Sequence, residues 1–308
     1  MSGVATRESY GKLLQEDLSK NPKIVVLDAD LGNATKSINF KKVCPERFFD
    51  MGIAEQDMMG TAAGLATCGK IPIASTFAMF AAGRAFEQVR NSIAYPNLNV
   101  KIVATHAGVT VGEDGGSHQA IEDISLMRSI PNMTVINPSD GKEAEEAIKA
   151  AVEYYGPVYI RLGRAATPDL HGPGYEFNWG KGEVLQEGKD VGIIATGIMV
   201  AKALEAAKQL KEQGIEARVI NIHTIKPLDE ALIIETAKLT GKIVTAEEHS
   251  VIGGLGSAVS EVVSKNHPVK MAMVGVQDQF GCSGSPKDLL EKFGLLESDI
   301  VKAVVSLK

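Results

Sequence analysis

Short runs of Val, Ile, Leu and Ala recur along the chain, and most are followed by a stretch with helical spacing. That alternation constrains the fold more than any other feature. Runs that are apolar at every position read as strands buried on both faces. Strands separated by helices are joined by crossovers, so the sheet they build is mainly parallel. In the first half the runs fall at 24–27, 71–75, 100–104, 134–137 and 158–161, with a shorter one at 47–51. Helical patterns cover 7–18, 54–67, 82–94 (stopped by Pro96), 121–129 and 141–154. Between 165 and 182 the periodicity fails, and Pro168, His171, Gly172, Pro173 and Gly174 cluster with the only tryptophan, Trp179. A second unit follows, with strands expected at 191–195, 217–222 and 242–246 and helices at 198–213, 229–240 and from about Gly254. The expected fold class is α/β: two consecutive α/β domains with mainly parallel sheets, 1–167 and 185–308, joined by a linker over 168–184.

A chain of 308 residues has room for two such domains. Its 32 basic and 38 acidic residues give a net charge of −6 with no basic block, so nothing electrostatic favours nucleic acid or a membrane surface. An anionic substrate would need a local basic pocket. The three cysteines, Cys44, Cys68 and Cys282, show neither metal spacing nor a disulfide framework, which suits a reducing compartment. Residues 1–9 are polar, and no apolar run approaches the roughly 20 residues of a membrane span. A soluble, cytoplasmic protein is expected.

Three stretches carry candidate chemistry. The longest is Thr105-His106-Ala107-Gly108-Val109-Thr110-Val111-Gly112-Glu113-Asp114-Gly115-Gly116-Ser117-His118-Gln119, which follows the apolar run 100–104. It sets two histidines and two adjacent carboxylates among glycines, as an active-site edge or as a mobile polar turn. The second centres on Glu55, at a strand-to-helix junction among Met51, Ile53, Met58 and Met59. A carboxylate in apolar company needs a partner for its proton or charge, although a first-turn glutamate is also favoured by the helix dipole. The third is Ser75-Thr76-Phe77-Ala78-Met79-Phe80, whose aromatics suit either a stacking platform for a flat heterocycle or the core. Arg7, Arg161 and Arg164 carry forks that match phosphate geometry, with a solvated arginine as the default for each.

Other patterns fail. Gly112-Glu113-Asp114-Gly115 lacks the Gly-Lys-Ser/Thr of a P-loop, and Gly253-Gly254-Leu255-Gly256 is only a fragment of a dinucleotide fingerprint. Glu247-Glu248-His249 are consecutive, and consecutive residues rarely converge on one ion.

Taken in order along nearly the whole chain, these pieces resemble the transketolase family of thiamine-diphosphate enzymes. Gly52-Ile53-Ala54-Glu55-Gln56 resembles its glutamate motif, and the stretch 105–119 its long substrate loop. Ser75-Thr76-Phe77, Asn137-Pro138-Ser139-Asp140 and His223-Thr224-Ile225-Lys226-Pro227-Leu228-Asp229 have parallels there too. The family's N-terminal domain, whose Gly-Asp-Gly…Asn motif holds the cofactor diphosphate through a divalent metal, has no counterpart in this sequence. The resemblance therefore implies a pyrimidine-binding domain plus a C-terminal domain, as in the C-terminal subunit of a split transketolase. It implies thiamine diphosphate with Mg²⁺ or Ca²⁺, the metal ligands lying on a partner N-terminal subunit and none on this chain. It also implies an α2β2 heterotetramer, active only when paired, in the pentose phosphate pathway.

The resemblance further implies a role for each residue. Glu55 hydrogen-bonds the aminopyrimidine nitrogen and activates the cofactor, Phe77 and Phe80 line the pyrimidine, and Asp30 lies close by. This chain carries an insertion around 81–84, which leaves open which phenylalanine stacks. His106 and His118 bind the donor hydroxyls and move protons, Asp114 reads the acceptor's C2 hydroxyl, and Arg7 and Arg164 hold the sugar phosphate. Arg161 has no comparable match. Ala34 replaces a phosphate-contacting serine, Gly116-Ser117 a Pro-Thr pair, and Ala54 and Gln56 a common Arg and His. The implied reaction moves a two-carbon ketol unit from a ketose phosphate to an aldose phosphate. The alternatives are the β subunit of a 2-oxoacid dehydrogenase E1, a 1-deoxyxylulose-5-phosphate synthase-like enzyme and a non-catalytic regulatory subunit.

Overall fold

The computed structural model describes residues 3–307. The strands, in chain order, are β1 (Ile24–Asp28), β2 (Phe48–Asp50), β3 (Ile71–Phe77), β4 (Lys101–Thr105), β5 (Thr134–Ile136), β6 (Val158–Arg161), β7 (Glu183–Gln186), β8 (Val191–Ala195), β9 (Ala217–Asn221), β10 (Thr224–Lys226), β11 (Lys242–Ser250) and β12 (Lys270–Val276). They form two sheets, ordered β10-β5-β6-β4-β3-β1-β2 and β12-β11-β8-β9-β7. Pairing is parallel throughout except at two edges, where β10 lies antiparallel to β5 and β7 antiparallel to β9. The continuous apolar runs have a direct cause. In β1, Val25 and Leu27 enter one core cluster while Ile24 and Val26 enter another, so both faces are covered and positions 24–27 are all apolar.

The first sheet sets up the site through the carboxyl ends of its central strands. Phe77 ends β3 directly beside Thr105, the end of β4. The helix Glu55–Thr67 starts just after β2, beyond β1. Crevices at the carboxyl ends of parallel strands are where ligands bind in such sheets.

Several elements depart from the expectations. The helix expected over 82–94 is a π-turn Phe80–Arg84, a helical turn Phe86–Gln88 and a second π-turn Val89–Ala94. A π-turn absorbs an extra residue without breaking the helix, and the first one spans the stretch 81–84, where an insertion was expected. The stretch 28–33 is partly helical (Gly32–Thr35), with Asp28 accepting from Leu31 N at 2.6 Å and from the hydroxyls of Thr35 and Ser37 at 2.8 and 2.7 Å.

The aperiodic connection is pinned rather than loose. Asp140 caps the helix Gly141–Glu153 and accepts from Leu170 N and His171 N at 2.7 and 2.8 Å. The His171 ring spans Asp140 and Glu183 at 3.0 and 2.9 Å. Trp179 stacks on Tyr154. Among the described residues no helix is long and apolar enough to cross a membrane.

Candidate active site

Glu55 opens its helix with only 1% of its surface exposed. Its Oε2 accepts from Arg84 Nη1 at 2.7 Å, while Oε1 is buried with no hydrogen-bond partner. An orphaned buried carboxylate oxygen costs free energy that only a donor can recover. The Arg84 guanidinium lies 4.4 Å from the centre of the Phe80 ring. Phe80 stacks with Phe77 at 5.9 Å, and Phe77 stacks on His106 at 3.9 Å. His118 meets the Phe80 ring edge-on at 5.3 Å. One run of contacts thus joins Glu55, Phe80, Phe77, His106 and His118.

His106 extends this run to a cation. Its Nε2 lies 3.1 Å from Arg7 Nη1, and its Nδ1 lies 2.9 Å from Thr105 Oγ1. A guanidinium can only donate, so Nε2 is the acceptor and the ring proton sits on Nδ1, directed to the threonine hydroxyl. Burial, then the charges of Arg7 and Arg164, push the imidazole pKa down to about 3. His106 is therefore neutral at neutral pH, held in a left-handed backbone conformation at φ 57°. Arg7 also donates to Ala34 O at 2.8 Å, which ties it to the stretch after β1.

The remaining expected residues lie further out. Arg164 donates to Val111 O and to Glu113 Oε2, the latter at 3.2 Å. Asp114 and Asp30 are exposed, and neither side chain has a hydrogen-bond partner among the described residues. Asp30 is placed by its backbone, whose N–H donates to Asp50 Oδ1 at 3.1 Å.

The loop 105–119 is held from behind by residues to which no sequence pattern had assigned a task. Glu248 accepts from Thr110 N at 2.6 Å. Gln119 Nε2 donates to Val109 O and Gly112 O, and to Cys282 O at 2.9 Å. The segment 278–285 of the second half thus buttresses the loop. Arg161 is a clasp rather than a phosphate ligand, since it is buried against Asp123 at 2.8 Å and donates to Ala120 O and Glu248 O. Burial raises the Glu248 carboxyl to about 7, against the lowering pull of Arg161.

The Glu247-Glu248-His249 side chains have separate partners. Glu247 accepts from Leu255 N and Gly256 N at 2.7 and 2.8 Å, and His249 Nδ1 lies 2.7 Å from Ser250 O. The glycine run 253–256 is therefore filled by the protein's own carboxylate. A Cβ on Gly254 would lie 2.0 Å from Glu247 Oε2.

The residues present fit the pyrimidine end of thiamine diphosphate, because an orphaned carboxylate oxygen stands beside an aromatic pair. Among the described residues, the one grouping of three metal-competent side chains is Glu143, His171 and Glu183, at the linker. Its carboxylates and imidazole are already engaged: Glu143 accepts from Tyr175, Asn221 and Ser139, and His171 from or to Asp140 and Glu183.

The profile of the transketolase pyrimidine-binding domain matches residues 2–169, and that of the transketolase C-terminal domain matches 180–300. The chain belongs to the transketolase family. A solved split-gene transketolase, an inactive β4 tetramer, is 59% identical, covers 99% of this chain and 98% of its own, and superimposes with a TM-score of 0.91. The 6-deoxy-6-sulfo-D-fructose transketolase subunit SqwH of Clostridium sp. (strain MSTE9) is 48% identical over 96% of this chain and 92% of its own length. Transketolase of Rattus norvegicus is 40% identical over 99% of this chain but only 49% of the rat protein. The chain is thus a transketolase-family subunit that corresponds in length to split relatives, and its family implies dependence on thiamine diphosphate.

Proposed function

We propose that this chain is the C-terminal subunit of a two-chain transketolase that moves a two-carbon ketol unit from a ketose phosphate to an aldose phosphate. Its partner is an N-terminal subunit that carries the diphosphate and Mg²⁺ or Ca²⁺ ligands, in an α2β2 assembly of the cytoplasm serving pentose phosphate interconversion. The observation that carries this reading is the buried, unpartnered Oε1 of Glu55. Thiamine diphosphate, when bound, supplies the carbon nucleophile and electron sink of the transfer.

With the cofactor bound, Glu55 Oε1 would hold the proton shared with the pyrimidine ring nitrogen, giving it to that nitrogen and taking it back. Phe77 and Phe80 exclude water and fix the ring plane. His106, neutral with Nε2 as acceptor, and His118 receive the donor's hydroxyls and carry their protons. Arg7 and Arg164 hold the terminal anion of the sugar, and Asp114 meets the acceptor from the exposed rim. With Arg7 drawn to a phosphate, Nε2 of His106 becomes free to act as a base.

The test is to co-purify the chain with a partner bearing Gly-Asp-Gly…Asn and assay xylulose 5-phosphate plus ribose 5-phosphate with thiamine diphosphate and magnesium. The pair is expected to turn over and the chain alone to be inactive. Turnover by the chain alone would overturn the split arrangement. A pair that ignores sugar phosphates but reduces a lipoyl domain from pyruvate would overturn the transferase assignment.

A further inference from the structure

Arg84 is the one charged partner of the buried Glu55 carboxylate, and nothing in the expected chemistry uses it. Its Nη1 binds Oε2 at 2.7 Å, its guanidinium plane covers the Phe80 ring at 4.4 Å, and its own backbone carbonyl accepts from Gln56 Nε2 at 3.2 Å. Arg84 is thereby fixed to Phe80 and to two consecutive residues at the start of the helix Glu55–Thr67. It ends the π-turn Phe80–Arg84. An extra residue in a helical turn advances the next side chain by about 100°, so the wide π-turn sets which way Arg84 faces. π-turns of this kind recur at functional sites.

We propose that Arg84 is a positioning residue for Glu55. It engages Oε2, locks the carboxyl in one orientation and leaves Oε1 as the single oxygen free to share a proton with the cofactor's pyrimidine nitrogen. This rests on the transketolase reading, in which Glu55 meets that ring. A carboxylate without this partner would rotate or take up a stray donor, and either would misplace the acceptor oxygen. Placement errors of that kind reduce both cofactor affinity and turnover. The sugar contacts, which run through Arg7, Arg164 and the loop, would be untouched.

The experiment compares wild type, Arg84→Met, Arg84→Lys, Glu55→Gln and the double variant. Binding of thiamine diphosphate to the co-purified pair, with magnesium present, is measured by calorimetry alongside kcat and sugar KM. Arg84→Met is expected to weaken cofactor binding about tenfold and to lower kcat, with sugar KM moving less than about twofold, and Arg84→Lys to recover part of the loss. In the Glu55→Gln background, Arg84→Met should change affinity by less than about twofold. An unchanged affinity and kcat for Arg84→Met, or the same loss in both backgrounds, would overturn the proposal. The free chain gives a cofactor-independent readout. Arg84→Met should lower its Tm by about 2–4 °C by stranding a buried carboxylate, and adding Glu55→Gln should restore it. A Tm indifferent to Arg84→Met would also overturn the proposal. A wild-type pair that binds no thiamine diphosphate would instead sink the transketolase reading, while the Tm comparison still reports on the ion pair.

Discussion

His171 and Glu55 are both buried titratable side chains, and their partners give them opposite tasks. His171 is clamped between Asp140 and Glu183, and these carboxylates outweigh its burial and raise its pKa to about 10 from the ordinary 6.5. A raised pKa means that the folded state binds the proton more tightly. The stabilisation is complete below about 6.5 and is lost as pH rises through 10. His171→Gln should therefore flatten the fall of stability between pH 7 and 10, read as Tm against pH relative to wild type. A parallel fall in both proteins would show that the clamp does not titrate. Glu55 has a free oxygen instead of a second partner. Glu55→Gln should lower kcat of the pair by about 10²–10⁴, the range for losing a general acid–base group, with the far-ultraviolet spectrum unchanged.

Glu55 drew notice in the sequence as a carboxylate among methionines, but that pattern alone suited a first-turn glutamate equally, and its expected role came from the resemblance of Gly52-Ile53-Ala54-Glu55-Gln56 to the family motif. Arg84 was not, since its role depends on the one-residue phase shift of a π-turn, which no hydrophobic period records. Arg161 was read as a solvated arginine by default, with a phosphate contact as the alternative, and it is an internal clasp. An arginine after a strand looks the same in sequence whether it turns outward or inward.

At the scale of elements, the central strands could be read from sequence because they are covered on both faces and so carry runs of consecutive apolar residues, with their buried polar residues at or near the strand ends. β7 and β12 were not, because they lie at sheet edges, where β7 is half-buried at every position and β12 grades from exposed to buried. The loop 105–119 stood out in sequence as a polar, glycine-rich stretch but not as a shape, since its supports come from distant segments. Gly108 shows how tight that support is. Its φ is 78°, and an added Cβ would lie 2.2 Å from the carboxyl carbon of Glu248. Gly108→Ala combines a disfavoured backbone region with a clash against a fixed carboxylate, and should cost about 1–3 kcal/mol. Denaturant unfolding of the free chain measures this, and a loss below about 0.5 kcal/mol would mean the loop shifts freely.

At the scale of the molecule, the two-domain pattern was evident from the aperiodic stretch 165–182, but the division is less clean than that stretch suggests. β10 comes from the second half of the chain and completes the edge of the first sheet, with Thr224 opposite Ile136 and Asn137 N donating to His223 O at 2.8 Å. A strand of three residues leaves almost no periodic signal. A fragment ending at residue 182 should therefore aggregate or stay monomeric only with help, because the edge of β5 is left bare. Light scattering on that fragment against the full chain tests this, and a stable, well-folded monomer would count against the stitching role of β10.

The same strand imposes an order on synthesis. The first half leaves the ribosome with its sheet open along one side, and the residues that close it are made some ninety positions after β5 (residues 134–136 against 224–226). For that interval the nascent chain carries an adhesive edge, shielded only by whatever chaperone or neighbouring polypeptide is at hand.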